Sequence, residues 1–178
     1  MEIKKLINNV LNFSINRFIE IFGITIAIIG ILLLISLISF SPDDPNFIFP
    51  ENTEIKNILG FRGSFIADLF FQSFGLIALL VPFSFILTGI NIFINKKIFR
   101  LIESFFYTVL YLIFGSIFFT SFYLNSFKLY INGNGGFIGN YLQTTFLNLI
   151  INTNSQISYH LLIIITLSLF LISIQFKI

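Results

Sequence analysis

The sequence predicts an all-α membrane protein, with four transmembrane helices in two parallel half-repeats and a short interfacial amphipathic helix in each half. Three observations point there. The chain is 56% hydrophobic and only 10% charged, more apolar surface than a core of this size can hide. Four uncharged stretches are long enough to supply the roughly 20 residues that cross about 30 Å of hydrocarbon. Two glycine-led segments then repeat one polar pattern.

Residues 1–20 form a cytoplasmic N-terminal segment carrying Lys4, Lys5 and Arg17, and the membrane domain occupies 21–178. The first span, about 21–40, could be mistaken for a secretory signal. Its apolar run exceeds the usual signal core of about 7 to 15 residues, and no small-x-small cleavage site follows, so it stays as an anchor. "SFSPDDPNF", Ser39 to Phe47, ends it. Pro42 and Pro45 withhold backbone N–H groups and push the residues before them out of helical geometry. Asp43 and Asp44 cannot enter the bilayer, because a carboxylate at its centre costs at least about 2.5 kcal/mol.

"GFRGSFIADLFFQ", Gly60 to Gln72, opens the next element, and "GFIGNYLQTTFLN", Gly136 to Asn148, matches it. Gly60 coincides with Gly136 and Gly63 with Gly139. Polar residues then recur every fourth position: Ser64, Asp68 and Gln72 in one copy, Asn140, Thr144 and Asn148 in the other. That spacing predicts a helix with a narrow polar stripe, lying along the membrane interface with the stripe toward water or protein. Splitting the long apolar run Leu69 to Asn95 near Gly75 leaves a second span at about 75–95, with a kink expected at Pro82. The third and fourth spans fall at about 104–127 and 158–176. Each half reads as span, loop, interfacial helix and returning span, a parallel repeat unlike the inverted repeats of many transporters.

The basic residues give the orientation. Lys4, Lys5, Arg17, Lys96, Lys97, Arg100 and Lys177 all fall on one side, which the positive-inside rule makes cytoplasmic. The other side receives Lys56, Arg62 and Lys128, with five carboxylates, Asp43, Asp44, Glu51, Glu54 and Asp68. Both termini are therefore expected in the cytoplasm, with external loops at about 41–65 and 128–157.

Little in the chain suggests chemistry. There is no cysteine, which excludes thiolate ligands, disulfides and cysteine nucleophiles. His160 stands alone, with no second histidine or carboxylate at ligand spacing, so no metal site is expected. "NGNGG", Asn132 to Gly136, lacks the lysine and Ser/Thr of a phosphate loop. Lys96, Lys97 and Arg100 are too few for a DNA-binding surface, and topology explains them. Gly23 and Ala27 give span one a small-residue face, better suited to internal packing than to dimerisation. Asp68, on its helix, is placed to pair with Arg62 or with a polar group of the other half. No catalytic residue, cofactor or metal is expected, and no direct nucleic-acid contact.

Three stretches together resemble the four-span N-terminal membrane domain of the FtsK/SpoIIIE family of DNA translocases: "SFSPDDPNF", "NILGFRGSFIADLFFQSFG" from Asn57 to Gly75, and "GGFIG" from Gly135 to Gly139. The motif residues are Gly60, Gly63, Ala67, Asp68 and Gly75, with the proline-flanked aspartates; Asn46 and Phe47 depart from the aromatic or serine usual in the family. The resemblance implies a non-enzymatic anchor in the bacterial inner membrane, enriched at the division septum, that contacts other division proteins and forms a homo-oligomer. The family's motor, a RecA-like ATPase, has no counterpart in these residues, so the expectation is an anchor without its motor. It also gives Pro42, Asp43, Asp44 and Pro45 a second role beside topology, as a rigid acidic loop for a partner. The rival expectation is a small carrier or channel, whose mark would be polar residues aligned through the spans.

Overall fold

The computed structural model describes residues 2–45, 54–123, 131–145 and 151–175, and the regular elements within them are all helical. In chain order these are α1 (Glu2–Ile38), α2 (Gly60–Phe74), a 3-10 segment (Gly75–Leu80), α3 (Val81–Asn95), α4 (Arg100–Phe122), α5 (Gly136–Gln143) and α6 (Ser155–Ser173). Four stretches are long and apolar enough to cross a membrane: Leu6–Ile38, Gly60–Asn95, Arg100–Phe122 and Ser155–Ser173. The protein is a multi-pass membrane protein.

α1 is one helix of 37 residues, about 55 Å at 1.5 Å per residue and so far longer than the hydrocarbon is thick. The helix does not start at the apolar run but some five turns earlier, and its first turns leave Leu6, Val10 and Phe13 exposed. Where α1 passes the α3–α4 turn, Glu20 receives two cations, Arg17 at 2.5 Å and Lys96 at 2.9 Å. A carboxylate that close to the bilayer edge is costly unless paired in this way. Lys96 itself adopts the left-handed conformation, φ 56°, that ends α3.

The long apolar run divides at Gly75, whose φ of 72° no side chain accepts comfortably. The residues after it wind as a 3-10 helix up to Leu80, and α3 begins at Val81. Pro82, expected as a kink inside a continuous helix, instead occupies the first turn of α3. There its missing N–H costs nothing. α5 is shorter than the polar spacing predicts, because the hydroxyls of Thr144 and Thr145 bond to the carbonyls of Tyr141 and Leu142 and end the helix at Gln143. Asn148 lies outside the described residues. α6 starts at Ser155, capped by the Asn154 side chain, which accepts from Ile157 N at 3.2 Å.

Helix pairing follows the small residues. α1 lies against α3 through Gly23, Ala27 and Gly89: a Cβ on Gly89 would stand 2.6 Å from Ala27 N, and one on Gly23 2.7 Å from Gly89 O. In lipid, where burial of apolar surface gives little drive, such backbone approach supplies the packing. α4 carries α6 on one side and α5 on another. The core gathers Leu33, Leu37, Phe71, Ile77, Val81 and Tyr111 from α1, α2, the 3-10 segment, α3 and α4. The α1, α4 carboxyl ends, α2 and α5 meet at one end of the bundle, the loop end. Glu20 and Lys96 to Arg100 mark the opposite turn end.

Replacing Gly89 with valine should separate α1 from α3. The expected loss is about 1 to 3 kcal/mol from overpacking, read as a lowered midpoint of thermal unfolding by circular dichroism in detergent. A valine variant as stable as the parent would contradict the crossing.

Candidate functional site

The residues singled out by sequence converge at the loop end, where they do two kinds of work. In the first half Asn57 binds the frayed end of α1: its Nδ2 donates to Ser36 O at 2.9 Å and to Ser39 O at 3.3 Å. Those carbonyls have no partner further along the helix, so a buried end needs such a group. Ser36 Oγ donates to Gly63 O at 2.6 Å. A Cβ on Gly63 would collide with Asn57 Oδ1, which is why α2 approaches with a glycine here.

The two neighbouring aspartates separate completely. Asp44 is 3% exposed, and its carboxylate accepts from two backbone amides, Lys56 N at 2.8 Å and Asn57 N at 2.9 Å. It latches the loop leaving α1 to the segment entering α2. Asp43 faces outward and pairs with Lys56 Nζ at 3.0 Å, both side chains well exposed. The hydrogen bond that the Lys56 ammonium donates to Asp43 holds its pKa above the usual lysine range. Being raised, it stabilises the fold below the ordinary lysine pKa and loses that contribution as pH climbs through the raised value. Pro45 O accepts from Ser64 Oγ at 3.2 Å, fixing the loop to α2.

Before α5, Asn134 is fully buried, its Nδ2 donating to Tyr123 O just past α4. The halves then touch backbone to backbone. Asn134 O accepts from Leu76 N at 2.9 Å, and Ser116 Oγ of α4 donates to Phe74 O at 2.9 Å. At this crossing Gly75 and Gly136 both have positive φ, 72° and 66°. A Cβ on Gly75 would collide with Asn134 O, and one on Gly136 would stand 2.5 Å from Gly75 N. Gly135 and Gly139 pass so near Thr120 that neither could carry a side chain without moving it.

The polar stripes meet across the same join. Gln72 Nε2 donates to Asp68 Oδ1 at 3.4 Å, Asn132 Nδ2 donates to Gln72 O and Oε1 at 3.2 Å, and Asn140 Nδ2 donates to Asn132 O at 2.7 Å. The α2 stripe therefore faces protein, Ser64 and Asp68 being buried, while on α5 Asn140 turns inward and Thr144 is exposed. Asp68 is buried, as is Ala67 beside it. Gly60 is the exception among the glycines: its φ is 66°, yet a Cβ there would touch nothing within 4 Å.

Sequence reading passed over a second set. Ser84, Thr88 and Asn91 fall on one face of α3, and each finds a partner in the bundle. Ser84 Oγ lies 3.0 Å from both Tyr111 Oη and Ser173 Oγ, and Thr88 Oγ1 lies 2.6 Å from Ser104 Oγ. Asn91 donates to Gln175 at 2.7 Å and accepts from Arg100. The helical spacing of 84, 88 and 91 was the available signal, although in the sequence these positions read as scattered polar residues with no line through the span. These groups bond to one another and hold the returning spans together. His160 is exposed, its Nδ1 2.8 Å from Gln156 O. Among the described residues no three His, Cys, Asp or Glu side chains gather where they could hold a metal ion.

A family model described as the 4TM region of DNA translocase FtsK/SpoIIIE matches residues 16–176. The DNA translocase FtsK of Rickettsia bellii (strain RML369-C) is 30% identical over 87 residues, 47% of this chain and 12% of that protein. The DNA translocase FtsK of Rickettsia typhi (strain ATCC VR-144 / Wilmington) is 36% identical over 64 residues, 36% of this chain and 9% of that protein. The matched segments thus span about a tenth of the length of these relatives. No solved structure matches the chain.

Two contrasts test the site. Asp44→Asn should cost about 1.5 to 3 kcal/mol, the scale of hydrogen bonds to a charged group, and speed hydrogen exchange at the Lys56 and Asn57 amides; Asp43→Asn, an exposed pair, should change both little. Gly75→Ala should abolish the folded state or lower its unfolding midpoint steeply, while Gly60→Ala should cost only the left-handed strain of about 1 kcal/mol. Equal effects within either pair would contradict the geometry.

Proposed function

Because the chain belongs to the family of the four-transmembrane region of FtsK/SpoIIIE DNA translocases, we propose that it is a non-enzymatic inner-membrane anchor and septum-targeting module of an FtsK-like translocase acting in cell division and chromosome segregation. The observation that carries the reading is the match over residues 16–176, which takes in the whole join at the loop end. The translocase activity named for the relatives belongs to proteins of which the matched part is about a tenth. These residues are assigned the anchoring part alone.

The turn end, with Arg17, Lys96, Lys97 and Arg100, lies in the cytoplasm in this reading, and the loop end lies outside it. The positive-inside rule supports that orientation. Within the loop end Asp44 and Asp68 are buried, so the part of the acidic loop offered to a division partner is Asp43 with Lys56, held on a frame that Asp44, Pro45 and Ser64 make rigid. The two halves are read as a duplicated unit, in which Asn57 and Asn134 each bind the end of an outgoing span and Gly63 and Gly139 each allow close approach. A homo-oligomer in the membrane completes the proposal. The carrier alternative gains little from the polar residues inside the bundle, because they bond to one another instead of lining an open path.

A fluorescent protein fused to the C-terminus and imaged in dividing cells tests the assignment. The expected result is a midcell band that disappears when the early division ring is depleted. Even labelling of the envelope in cells that divide normally would overturn it. Asp43→Asn should weaken the band at unchanged protein level, and an undiminished band would remove Asp43 from the partner surface.

A further inference from the structure

At the turn end an apolar cleft of about 510 Å³ opens between α1 and α4, with α3 as its floor. Phe22 and Ile26 of α1, Phe85 of α3, and Leu101 and Phe105 of α4 form its walls. Thr88 and Ser104 lie at its base, but their hydroxyls are bonded to each other at 2.6 Å, so the base presents carbon to whatever enters. The opening faces the bilayer, since Phe22 and Phe105 are exposed. Chain-like apolar matter is what such a slot admits.

Next to it, where the cleft reaches the membrane edge, is a second depression of about 520 Å³ lined by Lys96, Lys97, Arg100, Glu103 and exposed Phe99. Four cations, Arg17, Lys96, Lys97 and Arg100, stand against two carboxylates, Glu20 and Glu103, in this neighbourhood. The assignments within the group are unequal. Glu20 engages Arg17 and Lys96, and Arg100 donates to Asn91. Lys97 is exposed and forms no ion pair with another described residue. An apolar slot at hydrocarbon depth that ends below an excess of cations at headgroup depth has the two-part chemistry of one ligand class.

We infer that this cleft is a binding site for an anionic glycerophospholipid, with an acyl chain between α1 and α4 and the phosphate at Lys97, supported by Lys96 and Arg100. Basic pockets between transmembrane helices bind anionic headgroups by the same combination of charge and depth. The site is independent of septal targeting, and rests only on the chain lying in a bilayer. It also gives Lys97 a role distinct from topology: a topological lysine needs only to be on the correct side, whereas this one must sit at the mouth of the slot.

Purified full-length protein, reconstituted in vesicles of equal phosphatidylglycerol and phosphatidylcholine and released into mild detergent, is examined by native mass spectrometry for retained lipid. The expected result is one phosphatidylglycerol per chain, retained about fivefold over phosphatidylcholine, the ratio one unpaired cation gives near a headgroup. Lys97→Gln should bring the ratio close to one, and Leu101→Trp, or Phe105→Trp if the first does not fold, should abolish retention of either lipid while Lys97 is intact. The inference is overturned by no preference in the parent, by a preference that survives Lys97→Gln, or by one lost in Lys97→Gln but untouched by both tryptophan variants, which would mean headgroup attraction without a seated chain. Because the chain has no cysteine, Phe105→Cys gives a single thiol, and its quantitative disulfide crosslinking in vesicles would identify a second copy as the occupant instead.

Discussion

The fold depends on one crossing, where the backbone of Gly75 passes the backbone of Asn134 to Gly136. Asn134 O accepts from Leu76 N there, and neither glycine has room for a side chain. The crossing joins the end of α2 to the start of α5, and α4 is drawn in because Ser116 Oγ reaches Phe74 O from below. Without it, the loop ends of the two hairpins would be joined only through the side-chain bonds of α3 to α4 and α6, deeper in the bundle. Lipid tails solvate leucine as well as another leucine does, so apolar packing alone selects no register.

Everything near the crossing serves backbone groups that the membrane would otherwise leave without partners. A helix end carries four carbonyls with no internal acceptor role filled, and α1 and α4 both end close to hydrocarbon. One asparagine per half meets that need, Asn57 for Ser36 and Ser39 and Asn134 for Tyr123. Asp44 does the same for amides, satisfying Lys56 N and Asn57 N at once. The carboxylate at 44 is thus part of the frame and the one at 43 is not, although the two are adjacent in sequence and identical in chemistry. Two consecutive residues outside a helix point to different sides, and only the path of the loop decides which side is inward.

This is also where sequence reading reached its limit. Hydropathy was enough for the four spans, because length and absence of charge are local properties. The division at Gly75 was readable too, since a positive φ and a close approach both demand glycine. Which polar residues would bond to which was not readable. The stripe on α2 could have faced water, and its Gln72 meets Asn132 only because the crossing brings the second loop to it. The interior set on α3 was visible as spacing but carried no charge to draw notice, and hydroxyls in spans usually bond their own helix. Ser84 and Thr88 instead bond across helices, a choice made by the neighbours. The start of α1 at Glu2 escaped for a different reason: a helix that leaves the membrane without a break has no change of hydropathy to mark where it begins.

Exposed apolar residues such as Phe18, Phe99, Phe105, Ile94 and Ile102 could be exchanged among themselves with little effect on what the chain is, because lipid-facing positions ask only for carbon. The residues singled out in the sequence as a motif, Gly60, Gly63, Ala67, Asp68, Gly75, Gly136, Gly139 and the Pro42 to Pro45 turn, are with few exceptions those that build the crossing and its latches. Gly60, with open space around its missing Cβ, marks the boundary of that statement: its glycine is demanded by backbone conformation alone, where the others are demanded by contact. A bundle that kept the spans but lost the crossing would keep its hydropathy profile and lose its fixed loop end.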